Sequence, residues 1–534
     1  MWPSIQHGGC KILRHSIPNL LRLLSIIFTL ARHGALEPVF ILVRGSSRLA
    51  FLVWVGRIFQ ALMFQGNKHE RRGERLRKAL THLGPAFIKF GQTLSTRSDL
   101  IGEEMAADLA MLRDRLHPFP YKIVRQTIKK ELGQELEAFF ADFNPTPVSA
   151  ASIAQVHFAR LKKPLANNIE EVAVKILRPG IEQSFLQDMT LFTWLAQLLN
   201  RLVPKLRRLR LLDITKTFTE VMEREMDLRL EAAAAAELGK NFEGDISYKV
   251  PVIDWRYTSQ RVLTQERLRG CNIDDKDAIV KAGFQIDAVL QNAAEVFFKQ
   301  VFRDGYFHGD QHPGNLFVTV NGHMGAVDFG IMGRLDKKSQ YYLVDMLLAF
   351  LERDYLKVAK VHLNAGYIPP DTSLENFAQS CRAIGEPIFG LSLNEISLAN
   401  LLTQLFRLAR TYHMEIQPQL LLLQKNMLMA EGIGRSLNPN LNIWVLIRPM
   451  ITDWMRENRG VEARLINMAE QGIKLVEKIP VLMTKLEQSL DLWRQQAAIT
   501  QCHSNTRYRW LRQVNGTLLW SAIFALAAWL IFHP

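Results

Sequence analysis

The residues best suited to chemistry lie in Phe307-His-Gly-Asp-Gln-His-Pro-Gly-Asn-Leu-Phe-Val318 and, after nine intervening residues, in Asp328-Phe329-Gly330. Asp310 is a carboxylate that can accept a hydroxyl proton or orient a nucleophile. Asn315 and Asp328 offer two hard oxygens of the kind Mg2+ takes when substrate phosphates complete its octahedron. Between them Asn321-Gly322 is a strong short-range signal for a two-residue type I′ turn. Counting outward from that turn, Val320 faces His323, Leu316 faces Val327 and Asn315 faces Asp328, with opposed Cβ atoms about 5 Å apart. The mouth of the hairpin is therefore expected to grip a divalent cation. Reading His308, Asp310 and His312 as a transition-metal cluster fails, because no fourth ligand follows at familiar spacing and Pro313-Gly314 breaks the strand.

The separation of Asp310 from Asn315, with Asp-Phe-Gly downstream, is that of kinase catalytic and metal loops. Val172-Ala-Val-Lys175 matches the strand whose lysine neutralises ATP phosphates. Such a lysine needs a carboxylate on a helix, and Glu225, Asp227 and Glu231 lie in the run leading to Ala232–Ala236. At about 100° per residue, Asp227 and Glu231 share one face and Glu225 projects about 120° away from Glu231. We pair Glu231 with Lys175 and leave Glu225 and Asp227 for a second cation. Where a glycine-rich loop would cover the phosphates, the chain has Val148, Ser149, Ala150, Ala151, Ser152, Ile153, Ala154, Gln155 and Val156, with no glycine. Alanine bars many of the positive-φ conformations that bring backbone onto phosphate, so nucleotide binding is expected in an altered geometry.

The elements that must position these residues are legible in outline. Asn144-Pro145-Thr146-Pro147 forbids helix continuation and marks a boundary. SIAQVHFARL and EEVAVKIL, joined by a polar loop, read as an antiparallel strand pair. Phe185 to Val203 and Ile214 to Phe242 read as helices, and Tyr248 to Gly270 returns to strand-like residues. Residues 284–450 are chiefly helical apart from the β element around 320. A small β-rich lobe thus precedes a larger helical one.

With 534 residues, 48% apolar and 22% charged, the chain has globular usage and can build a sizeable core. The net charge of +14 implies an anionic partner. Without zinc-finger spacing or an RNP-like aromatic pattern, nucleotide phosphates and a membrane face are favoured over nucleic acid. Four scattered cysteines exclude a disulfide framework and fit a reducing compartment. Residues 516–532 carry no charge and follow Arg507, Arg509 and Arg512, which predicts a short membrane anchor with its basic flank on the cytoplasmic side. Asn19 to Ala31 carries Arg22 and lacks a cleavage pattern, so no signal peptide is expected. Val39 to Phe64, interrupted by Arg44, Arg48 and Arg57, suits a helix on a membrane surface, a partner-binding helix or a core helix.

Together these residues resemble the UbiB family of atypical kinase-like proteins linked to ubiquinone biosynthesis. The resemblance runs from about Gly84 to Leu335. It rests on Lys89-Phe90-Gly91-Gln92, the alanine-containing loop Ser149 to His157, the Glu225-x-Asp227 pair, and His308 to Asn315 with Asp328-Phe329-Gly330. The chain departs from the family in carrying Gly309 where alanine is usual and Gln311 where proline is frequent. HGDQHPGN is also similar to the H-G-D-x-H-x-x-N of small-molecule kinases. The resemblance implies an α+β, protein-kinase-like bilobal fold with an N-terminal helical extension and C-terminal transmembrane anchoring. It implies that Lys89 and Gln92 reach the active site, with Lys89 meeting Glu225 and Asp227, and that ATP or ADP binds with Mg2+. It further implies an inner-membrane location, contact with membrane lipid and quinone precursors, and partners among ubiquinone-biosynthesis enzymes.

The expected organisation is an amphipathic segment (1–66), a helical extension with the KxGQ motif (67–145), a β-rich N-lobe with its helix (146–270), a helical C-lobe (271–450), C-terminal helices (451–512) and an anchor (513–534). Three functions are consistent with this: an ATP-dependent kinase or ATPase assisting ubiquinone synthesis, a nucleotide-switched lipid-binding scaffold, and a small-molecule kinase.

Overall fold

The computed structural model describes residues 16–36, 58–64, 70–95, 101–112, 117–165, 168–202, 211–388 and 418–440, with isolated positions between 404 and 456. The chain divides into two units, residues 1–451 and 452–534. Of the second, residues 452–454 and 456 are described, and Arg456 pairs with Asp453 at 3.5 Å.

The N-lobe sheet consists of β1 (Phe140–Phe143), β2 (Ser149–Ala150), β3 (Ala154–Leu161), β4 (Glu171–Leu177) and β6 (Val262–Glu266), in the order β1-β3-β4-β6 with β2 on β3. All pairings are antiparallel. Successive side chains of a strand point to opposite faces, and β4 shows the consequence. Val172, Val174 and Ile176 pack into one core with Val124 and Ile128 of α5 (Tyr121–Leu132). Leu177 joins the other core, which runs through both lobes, and Lys175 shares that second face. A lysine is thereby carried to the inner surface of the sheet.

After α1 (Ser16–Arg32), the stretch 67–145, expected to be helical, holds α2 (Arg72–Leu83), α3 (Pro85–Ser95), α4 (Glu103–Ala110) and α5, but it also contains β1. Four residues directly after the short helix Leu136–Phe139 are too few for an alternating pattern to register, and their pairing with β3 is non-local. After β4 come α6 (Ile181–Leu202), α7 (Leu211–Glu225) and α8 (Leu228–Asn241). The single helix expected over 214–242 is broken at Met226-Asp227. Asp227 has extended backbone (φ −117°, ψ 94°), and its side chain caps α8 by accepting from the N–H of Arg229. The buried stripe of α8 is Leu228, Glu231, Ala232, Ala235 and Leu238, so the one carboxylate in it must find a partner.

The C-lobe contains a small sheet of β5 (Tyr248–Lys249), β7 (Gly270–Asn272), β9 (Leu316–Thr319) and β10 (Met324–Ala326), in the order β5-β10-β9-β7. A two-stranded ribbon pairs β8 (Tyr306–His308) with β11 (Met332–Arg334). The helices around them are α9 (Ile286–Phe298), α10 (Lys337–Leu351), α11 (Tyr355–Asn364), α12 (Leu374–Gly385) and α13 (Pro418–Leu437). The fold is the α+β, two-lobed arrangement expected. A π-helical turn, Lys299–Asp304, ends at Gly305 in the left-handed region and delivers the chain into β8, where the buried Gln300 accepts from the N–H of His308 at 2.9 Å. Among the described residues no helix is long and apolar enough to cross a membrane. The expected span at 516–532 lies outside them, as do residues 37–57.

Candidate active site

Lys175 and Glu231 meet as the sequence predicts. The ammonium donates to both carboxylate oxygens, at 2.8 and 2.9 Å, and lies 3.1 Å from Asp328. Burial alone pushes the lysine toward neutrality, but the charges of Asp328 and Glu231 outweigh it and its pKa is raised. Burial pushes Glu231 upward while Lys175 opposes, and the two-oxygen contact is that of an ionised pair. The backbone N–H of Phe329 also donates to Glu231, tying α8 to the Asp-Phe-Gly segment.

Asp328 sits at φ 65°, a conformation that a non-glycine residue rarely adopts. The left-handed turn aims its half-exposed carboxylate at Lys175. Desolvation would raise its pKa, but the ammonium groups of Lys175 and Lys89 more than offset this and hold it at about 2. Phe329 is buried, with its ring edge-on to His308 at 5.4 Å.

The loop after β8 is built on His308. Its Nδ1 accepts from the N–H of Asp310 at 3.1 Å. Burial lowers its pKa and keeps it neutral, and the ring also faces the backbone of Val327 and Asp328. The loop carrying Asp310 and the segment carrying Asp328 are thus joined through one imidazole. Asn315 donates its amide nitrogen to the carbonyl of Asp310 at 3.2 Å, which leaves the amide oxygen as the atom for a cation. His312 caps the following turn by accepting from the N–H of Gly314. Among the described residues no cluster of three or more His, Cys, Asp or Glu side chains is placed to hold a metal.

The hairpin register differs by one residue from the expected one. Met324 pairs with Val318 and Ala326 with Leu316, and the N–H of Val327 donates to the carbonyl of Asn315 at 2.9 Å. Asn315 therefore opposes Val327, not Asp328. Three residues, Val320 to Gly322, form the loop, with Gly322 alone at positive φ and its N–H donating to Thr319. This is a three-residue turn with glycine in the left-handed position instead of a type I′ turn. The left-handed Asp328 then turns the chain out of the ladder, so the shift leaves both oxygens at the same end of the hairpin.

The loop Val148 to Val156 is a tight hairpin with Ser149 opposite Val156 and Ala150 opposite Gln155. No residue in it has positive φ. Its tip is fixed from the next strand end: the carbonyl of Ala151 accepts from the guanidinium of Arg178, and that of Ile153 from the N–H of the same residue. Ser152, Ile153, Ala154 and Gln155 are buried, and Ile153 and Ala154 join the main core. The Gln155 side chain is bonded to the backbone of Phe119 and to His157, so this residue can offer a nucleotide only backbone.

On α3, Lys89 pairs with Glu225 at 3.1 Å, both largely buried, and its charge acts on Asp328. Gln92 donates to the carbonyl of Leu112 at 3.3 Å. Asp227, expected beside Glu225, instead holds the guanidinium of Arg229 at 2.9 and 2.6 Å while capping α8. The helix break explains this, since Glu225 ends one helix and Asp227 starts another.

Two residues of α13 were not foreseen. Lys425 Nζ lies 2.8 Å from Asp310 Oδ1. Asn426, fully buried, donates to the carbonyl of His308 at 2.5 Å and accepts from the N–H of Gln311 at 3.3 Å. They lie 115 and 116 positions from Asp310, in a helix whose pattern reads as ordinary core.

A divalent cation suits this donor set: one carboxylate, one amide oxygen and no soft ligand, which is the sparse oxygen set of Mg2+ sites that borrow phosphate oxygens. Residues 111–362 match the ABC1 atypical kinase-like domain and residues 381–442 the UbiB helical domain. A protein from Marinobacter nauticus named "Probable protein kinase UbiB" is 43% identical over 413 residues, covering 77% of this chain and 75% of that one. The protein of the same name from Klebsiella pneumoniae is 37% identical over 524 residues, covering 96% and 94%. The solved complex of Rv3197 with erythromycin from Mycobacterium tuberculosis is similar at a TM-score of 0.47 and 24% identity, covering 72% of this chain and 94% of that one. On domain match and identity across most of its length, the chain belongs to the UbiB family of atypical kinase-like proteins.

Proposed function

We propose that this chain is an ATP- and magnesium-dependent atypical kinase or ATPase that supports ubiquinone biosynthesis at the inner membrane, with its kinase-like domain on the cytoplasmic side. The observation that carries this reading is the convergence of Lys175, Glu231 and Asp328 beside a loop in which Asn315 is bonded to Asp310. Lys175 would hold ATP phosphates, and Asp310 would take the proton of the attacking hydroxyl or water. Asn315 and Asp328 would hold Mg2+, which neutralises charge on the transferring phosphoryl group. The buried, arginine-pinned alanine loop supports an altered nucleotide geometry, in which ATP or ADP is held without a glycine-rich cover.

The membrane location is supported by the charge-free residues 516–532 and the arginines before them. The family name supports the link to ubiquinone, with lipid, quinone precursors and biosynthetic enzymes as partners. A scaffold switched by nucleotide is a second reading, favoured by Lys89 and α3 lying close enough to act on Asp328. The same placement disfavours an open acceptor site for a small metabolite.

The discriminating experiment is Asp310→Asn in cells and in vitro. Loss of ATP hydrolysis together with quinone production supports the enzyme. Quinone production retained without hydrolysis supports the scaffold.

A further inference from the structure

The loop carrying Asp310 supplies no ammonium or guanidinium group of its own. Between Asp310 and Asn315 stand Gln311, His312, Pro313 and Gly314, and the His312 ring is occupied with the turn. Yet a transferring phosphoryl group spreads negative charge over its equatorial oxygens, next to the carboxylate that orients the nucleophile. Lys175 is held between Glu231 and Asp328, and Lys89 stands against Glu225. The cation beside Asp310 comes from α13 instead.

Lys425 meets Asp310 at 2.8 Å, with the two side chains 28% and 32% exposed. Exposed lysine–aspartate pairs commonly contribute little. This one differs because its backbone is anchored. The adjacent Asn426 brackets the loop on both sides of Asp310, through the carbonyl of His308 and the N–H of Gln311. The position of Lys425 is thus set to within one residue of a fully buried polar contact. Its long, partly solvated side chain can still exchange one anion for another at little desolvation cost.

We propose that Lys425 is a catalytic residue of the phosphoryl transfer: it leaves Asp310 when ATP enters and binds the γ-phosphoryl oxygens, so that the helix following the kinase-like domain completes the active site. The proposal rests on the function proposed above. In the step, the oxygen of the attacking hydroxyl or water bonds to the γ-phosphorus. The bond from that phosphorus to the β–γ bridging oxygen breaks, and its electron pair leaves with ADP. The proton of the nucleophile passes to the Asp310 carboxylate that Lys425 has vacated, while the ammonium steadies charge on the γ-oxygens.

The test is the affinity of the full-length protein for ATP and for ADP with Mg2+, in wild type, Lys425→Met and Lys425→Arg, with single-turnover hydrolysis alongside. Lys425→Met should weaken ATP roughly tenfold or more, the scale of one hydrogen bond to a charged group, and leave ADP binding unchanged. It should slow hydrolysis about 100-fold, and Lys425→Arg should restore most of the preference for ATP. Unchanged ADP binding also shows that the variant is folded. Slowed hydrolysis with an unaltered ATP-to-ADP ratio would overturn the proposal, reducing Lys425 to a brace for Asp310, as would equal weakening of both nucleotides. Failure of the wild type to bind either nucleotide is a different result, and it sinks the function proposed above.

Discussion

Neutralising Glu231 is the sharpest probe of the buried charge cluster. The pair is 2.8 Å apart with both side chains about nine-tenths buried, at 12% and 8% exposure. At an effective dielectric near 20, that separation corresponds to roughly 6 kcal/mol of gross attraction. Desolvation, which costs several kcal/mol per ion, cancels much of it. Asp328, 3.1 Å from Lys175 but half-exposed, supplies some compensation when Glu231 is gone. Glu231→Gln and Lys175→Met are therefore each expected to cost about 3 kcal/mol, near the lower end for orphaning one member of a buried pair. The double variant should cost about 4 kcal/mol, because no buried charge is then left alone. The coupling from the cycle is about 2 kcal/mol, read by urea denaturation of the four proteins. If the two single losses add to within about 0.5 kcal/mol, the charges do not interact as described and the reasoning fails.

Other expectations follow from the same geometry. Asp328 titrates at about 2 instead of the 3.8 of a free aspartate. Because the folded value is the lower, its contribution to stability is present above the unfolded value and is lost as pH falls from about 4 to about 2. Stability of Asp328→Asn should be flatter than wild type across that window. A Cβ on Gly309 would stand 2.8 Å from Ile331 Cγ2 and 3.0 Å from its carbonyl. Gly309→Ala should thus cost roughly 1 to 3 kcal/mol, partly relieved in combination with Ile331→Ala, as thermal melts would show. Asn426→Leu strips two hydrogen bonds from the Asp310 loop and should cost about 2 kcal/mol with faster hydrogen exchange at Gln311.

What was legible in the sequence is what local pattern encodes. The alternation in β4 carries Lys175 to the inner face, and the helical stripe of α8 carries Glu231 toward it, so their contact could be derived from two short segments. The hairpin at 321 was legible in existence but not in register. Asn-Gly serves both a two-residue and a three-residue turn, and only backbone geometry tells whether one residue or two has positive φ. The break before Asp227 escaped notice because the surrounding residues favour helix, although aspartate is itself a preferred N-cap. The ribbon of β8 and β11 and the brief β1 depend on non-local pairing of three or four residues. Lys425 and Asn426 were illegible for the same reason, since nothing in α13 marks which of its residues meets a loop 115 positions away.

The proposed function requires a nucleotide held with a divalent cation at Asp328 and Asn315. The most direct measurement is equilibrium binding of ATP to the purified chain with Mg2+ and with a chelator, in wild type and in Asp328→Asn. Binding should require Mg2+ in the wild type and be weakened at least about tenfold in the variant. Binding of equal strength with and without the metal, or in both proteins, would contradict it.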